Sequence, residues 1–107
     1  MDEGRYGLVL VTAGTEAEAR AIAQALVSER LAACVNLFPV QSTYRWQGEV
    51  QQDAEWQLFI KTDLQRFAEL EARICALHSY EVPEIIALPI QAGSALYMAW
   101  LAEQTTM

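Results

Sequence analysis

Apolar and polar positions alternate along this chain with two periods, and the switches between them mark out strands and helices. Tyr6 to Thr12 contains the unbroken run Leu8-Val9-Leu10-Val11, which suits a strand buried on both faces. After Ala13-Gly14, Thr15 and Glu18 have the spacing of a capping box. Ala19, Ile22, Ala23, Leu26 and Arg30 then recur at helical spacing, with Glu16, Arg20 and Gln24 on the wet side. Ala32 to Phe38 predicts a second strand, and Pro39, which has no ladder donor, is expected to bend or break its pairing. Val40, Ser42, Tyr44 and Trp46 alternate, and after Gln47-Gly48 the alternation resumes at Val50, Ala54, Trp56, Leu58 and Ile60. That pattern predicts a long hairpin, with Gln52 and Phe59 as the two exceptions.

A second cap follows, either Thr62 with Gln65 as its reciprocal partner or Asp63. Leu64, Phe67, Leu70, Ile74 and Leu77 make the apolar stripe of the helix it opens, while Gln65, Arg66, Glu69 and Arg73 are expected to face water. His78 closes the last turn. Pro83 biases Val82 toward an extended backbone, and Ile85 to Leu88 reads as a short strand before Pro89. Ser94 caps a final short helix carrying Leu96, Tyr97, Trp100 and Leu101, and the residues from Gln104 on are expected to fray.

The order strand, helix, strand, strand, helix, strand predicts an α+β ferredoxin-like β-α-β-β-α-β sandwich with an extra C-terminal helix and an extended hairpin, as one domain over residues 1–107. Two helices cover only one face of such a sheet, yet the first strand is apolar on both sides. An oligomer in which sheet faces bury one another and the hairpin reaches a neighbour answers that mismatch. Trp46 and Trp56 are the candidate interface anchors.

Composition narrows the partners. A chain of 107 residues, 53% of them hydrophobic, supports one compact core. Its net charge of -7 repels phosphate backbones, so nucleic acid is not an expected partner. No apolar stretch approaches the roughly 20 residues of a membrane helix, and the N-terminal residues lack the pattern of a secretory signal, so a cytoplasmic protein is expected. Cys34 and Cys75 are then free thiols. The glycines are scattered, without a phosphate loop, and no Gly-x-Ser-x-Gly elbow occurs. A thiol enzyme built from Cys34 or Cys75 with His78 is the weakest reading, and a non-enzymatic role is expected.

Candidate chemistry centres on Ala76 to Ile85, which holds the only histidine beside Tyr80, Glu81 and Glu84. Cys75 and His78 are three residues apart, one helix face, and a thiolate with an imidazole suits copper or zinc. Glu81 and Glu84 offer oxygen ligands. Equally, Cys75 is a packing residue and His78 a helix cap. Lys61, the only lysine, together with Tyr44, Trp46, Tyr80, Tyr97 and Trp100, offers a cleft with aromatic walls in which Glu81 and Glu84 pair with the lysine. The other reading of the same residues is a structural ion pair beneath an aromatic cluster.

Leu31-Ala32-Ala33-Cys34-Val35-Asn36, Tyr44-x-Trp46-x-Gly48, Ile60-Lys61-Thr62, His78-x-Tyr80-Glu81-Val82-Pro83-Glu84-Ile85 and Tyr97-x-x-Trp100-Leu101 resemble, in order, the motifs of the CutA divalent-cation-tolerance proteins. Ser79 departs from the proline usual there. The resemblance implies a ferredoxin-like subunit in a tight homotrimer with hairpins paired between subunits, and an association with divalent-metal tolerance, notably copper, which together with zinc is the weakly bound cofactor to expect. It also implies a likeness to trimeric PII signalling proteins, hence an alternative role as a binding module whose intersubunit cleft takes a protein or small-molecule effector. The positions matching the copper ligands of some relatives are Val11, Leu77 and His78, of which His78 alone is a ligand type.

Overall fold

The computed structural model describes residues 4–106. Its elements are β1 (Tyr6–Ala13), α1 (Glu16–Ser28), β2 (Cys34–Trp46), β3 (Glu49–Asp63), a 3-10 turn (Leu64–Arg66), α2 (Phe67–Leu77), β4 (Ile86–Pro89) and α3 (Ala95–Gln104). The four strands form one sheet in the order β2-β3-β1-β4, and every neighbouring pair is antiparallel. This is the expected α+β arrangement of two split β-α-β units.

Register decides which side chains meet the helices. Val9 pairs with Ile60 and Val11 with Leu58, and these four with Ala13 are fully buried against Ala19, Ile22 and Leu26 of α1 and Leu70 and Ile74 of α2. Each large aliphatic group enclosed this way contributes about 1.5–3 kcal/mol. The alternate residues point to the other face. There Leu8, Leu10 and Phe59 are half-buried, and Phe38, Ile86 and Leu88 are exposed. Phe59, an exception to the alternation, belongs to this second apolar layer, where its ring meets Phe38 edge-on at 5.0 Å. The third helix covers only one end of the layer, packing Met98 and Leu101 against Ala33, Tyr6 and Ile90.

Several local expectations are corrected. Pairing does not break at Pro39, which sits opposite Trp56 in an uninterrupted ladder; β2 is an edge strand, where an outward N–H has no partner to lose. Thr62 is not a cap but the fully buried penultimate residue of β3, its hydroxyl donating to the Leu31 carbonyl at 2.6 Å. Asp63 is the cap, accepting from the Gln65 N–H. Arg66 does not face water: it is 9% exposed and donates to the Arg30 carbonyl at 2.6 Å. Arg30 lies beyond α1 in the left-handed region, φ 59°, where Leu31 N–H returns to Leu26 O at 2.9 Å and closes the helix in a Schellman pattern. The C-terminus is ordered through Thr105, which is buried at 3% exposure.

Gln47 and Gly48, both at positive φ (52° and 83°), form the hairpin turn, as a primed two-residue connection requires. From Gln41 on β2 and back to Ala54 on β3 the arms are mostly exposed on both faces. The hairpin is thus an arm reaching past the core, and the molecule measures 44 × 25 × 22 Å.

Candidate functional site

Segment 78–85 has no regular structure, and side chains of α1 and β3 with a backbone carbonyl of β1 hold it. His78 ends α2 with an extended backbone, φ −85° and ψ 141°, and its side chain is fully enclosed. Nε2 lies 2.7 Å from the Thr12 carbonyl oxygen. A carbonyl only accepts, so Nε2 carries the proton. The Tyr80 N–H donates to Nδ1 at 3.0 Å. Thr15 caps α1 by accepting from the Glu18 N–H, but the reciprocal half of the predicted box is diverted. The Glu18 carboxylate accepts instead from the Ser79 N–H at 2.6 Å and the Ser79 hydroxyl at 2.9 Å.

Tyr80 then turns toward β3, its hydroxyl donating to Glu55 Oε2 at 2.6 Å. Partial burial first, then that bond and the Glu55 charge, hold the Tyr80 phenol well above its ordinary value of 10.0. The ring lies against Gly14, where an added Cβ would stand 3.1 Å from the Tyr80 oxygen. Further along the arm the Tyr44 hydroxyl donates to Asp53, and that bond, with desolvation and the Asp53 charge, also raises the Tyr44 phenol. Gln57 Nε2 bridges the Val11 carbonyl at 3.0 Å and Glu84 at 3.4 Å.

These groups surround an open cleft of about 870 Å³ between the hairpin and segment 80–84, with Tyr44, Trp46, Tyr80, Asp53, Glu55, Glu81 and Glu84 in its wall. Five of the residues proposed from the sequence therefore meet: Tyr44, Trp46, Tyr80, Glu81 and Glu84. Lys61, Tyr97 and Trp100 do not join them. Lys61 Nζ donates to Asn36 Oδ1 at 2.7 Å and sits 5.9 Å from the Tyr97 ring centre, with Trp100 beyond at 5.4 Å from Tyr97. Within one chain the residues expected to line a cleft between subunits therefore fall in two groups, one on the arm and one on the open sheet face. The sequence reading missed Glu55, Asp53 and Glu18; the first two fall on the cleft face only through the hairpin register, Val40 opposite Glu55 and Ser42 opposite Asp53.

Copper or zinc requires an imidazole nitrogen with a free lone pair and further donors around it. At His78 one nitrogen is protonated and the other already accepts a hydrogen bond. Cys75 is exposed while the His78 side chain is enclosed, because the helix stops at Leu77 and the three-residue spacing no longer sets a common face. Val11 lies in the core and Leu77 packs on it. Among the described residues no three His, Cys, Asp or Glu side chains are grouped so as to hold a metal ion. The residues present do not fit a copper or zinc centre.

The geometry has close counterparts. The divalent-cation tolerance protein CutA of Thermus thermophilus is 54% identical over 99 residues, covering 92% of this chain and 96% of that protein. A solved structure from the same organism, described as a divalent cation tolerance protein, superposes with a TM-score of 0.91 at 53% identity over 94% of this chain and 99% of that one. CutA from Synechococcus elongatus superposes with a TM-score of 0.93 at 37% identity, covering 99% and 95% respectively. No helix among the described residues is long and apolar enough to cross a membrane. With the family model for the CutA1 divalent ion tolerance protein matching residues 7–104, the chain belongs to that family.

Proposed function

We propose that the chain serves divalent-cation tolerance as a non-enzymatic, cytoplasmic assembly of three copies. The observation that carries this reading is the open sheet face. Ile86 and Leu88 are about half exposed there, and on α3 Leu96 is 87% exposed beside Tyr97 and Trp100. A contiguous apolar surface of this kind marks association, and no further element among the described residues covers it. The projecting hairpin supplies reach toward a neighbour. A non-enzymatic role suits a site whose one histidine is committed on both nitrogens to backbone groups. Free thiols at Cys34 and Cys75 suit a reducing compartment. Copper or zinc associates weakly, through surface carboxylates and without a built centre.

Sedimentation equilibrium is expected to give three times the 12.0 kDa chain mass, and a single-chain mass overturns the assembly. Copper and zinc titrations of the metal-free protein and of His78→Ala are expected to give the same weak affinity. A tight site lost in the variant overturns the metal part of the reading.

The second reading, a PII-like binding module, is favoured by the cleft, whose volume falls in the small-ligand range of about 300–1,000 Å³. A thermal-shift screen of nucleotides and small metabolites tests it; absence of any shift removes it.

A further inference from the structure

The four tyrosines stand in two opposite electrostatic settings. Tyr6 and Tyr97 each have a cation over the ring, the Arg5 guanidinium 5.3 Å and the Lys61 ammonium 5.9 Å from the ring centre. A cation in that place attracts the ring's electrons and opposes the removal of one. Tyr44 and Tyr80 have the reverse. Their hydroxyls donate to carboxylates, Tyr44 to Asp53 and Tyr80 to Glu55, and among the described residues they are the two phenols so bonded.

Both acceptors lie on one face of the arm. Asp53 and Glu55 are alternate residues of β3, about 7 Å apart at the rise of an extended chain, so one phenol from the arm and one from segment 78–85 converge on neighbouring carboxylates. Each ring is more than a third exposed, Tyr44 at 41% and Tyr80 at 37%, in the wall of the same open cleft. A dissolved oxidant therefore reaches both. The contacts described above hold both phenols above their ordinary value of 10.0, so at neutral pH each still carries its proton. An electron then leaves at least cost when that proton leaves too, and each phenol has a proton acceptor already in place.

We propose that Tyr44 and Tyr80 are a paired oxidation site, and that a one-electron oxidant of the oxidised transition-metal-complex class joins them as a dityrosine within one chain. At each phenol one electron passes to one equivalent of oxidant, and the hydroxyl proton passes to Asp53 or Glu55 and from there to solvent. The two phenoxyl radicals form one carbon–carbon bond between ring positions ortho to the oxygens. The two ortho protons then move to those oxygens and restore the hydroxyls. Two electrons and two protons have left in all. The product ties the arm covalently to segment 78–85 across the cleft, and it forms whether the chain works alone or in an assembly.

The test uses folded protein in which isotopically light and heavy chains have been refolded together. Flash-generated trivalent ruthenium tris-bipyridine serves as the oxidant, dityrosine fluorescence gives the rate, and mass spectrometry of the digest gives the linkage. The expected main product joins Tyr44 to Tyr80 of the same isotope, with Tyr6 and Tyr97 left uncoupled. Tyr44→Phe is expected to abolish it. Asp53→Asn, a change on the exposed arm, is expected to slow it by about a hundredfold, the lower end of what a positioned base supplies. Coupling spread evenly over the four tyrosines, a product joining unlike isotopes, or an unchanged rate in Asp53→Asn overturns the proposal.

Discussion

Tyr80 gives the clearest residue-scale consequence, because among the described residues its hydroxyl is the one donor to the Glu55 carboxylate, a residue 6% exposed. The folded protein holds this phenol above the value of 10.0 it has when unfolded. Folding therefore favours the protonated form, and the contribution is complete below about pH 10 and lost as the pH rises beyond it. Tyr80→Phe removes that dependence and leaves Glu55 without a donor. At neutral pH the variant is expected to be about 1–3 kcal/mol less stable by urea unfolding. Between about pH 9 and pH 11 its stability is expected to fall less than that of the unmodified protein; parallel losses refute the role given to the phenol. Little of this bond was visible in the sequence. Tyr80 and Glu55 are separated by 25 positions, and only the register of β3 tells that Glu55 shares a face with Thr12 and Gln57.

At the scale of elements, Glu18 and Arg66 act as ties between segments that propensity treats as independent. Glu18 was legible as a capping residue from its spacing to Thr15, yet its carboxylate serves the Ser79 turn, because a partner brought close by the fold outcompetes the local one. Glu18→Ala is expected to leave the helix intact while amide exchange at Ser79 and Tyr80 accelerates about tenfold, the equivalent of 1.4 kcal/mol. Unchanged exchange there would show that the His78 contacts alone hold the segment. Arg66 reads as a wet-face residue by periodicity. The 3-10 turn before α2 rotates it inward, where it donates to the Arg30 and Thr105 carbonyls and pairs with Glu69. Arg66→Ala is expected to cost about 2–4 kcal/mol, since it orphans backbone acceptors at the ends of two helices. Thermal unfolding measures it, and a loss below 1 kcal/mol would contradict the bonding described. The order of elements along the chain, the helix stripes and the hairpin turn were all readable in advance, because each depends on neighbours in sequence. The start of α2, the burial of Arg66 and the continuity at Pro39 were not, because each depends on what lies across the fold.

At the scale of the whole molecule, the helix-covered face is a closed core and the opposite face is an unfinished one. Trp100→Glu and Leu88→Glu both place a carboxylate on the open face without touching the core. Each is expected to shift the sedimenting mass to that of one chain while the circular dichroism spectrum is retained. An unchanged mass in both variants would remove this face from assembly. Within one chain the aromatic residues expected to line a cleft between subunits fall in two separate groups, a separation set by the length of β3 and invisible to residue type alone. The unbroken run of β2 past Pro39 carries one further consequence. Thirteen residues of edge strand, with Val40, Tyr44 and Trp46 among them, are a template on which extended chains add indefinitely. A proline in that edge leaves one rung without a donor, so fibre growth along it stalls. Pro39→Val is expected to fold as before yet, when held dilute and warm, to bind thioflavin and form filaments that the unmodified protein resists.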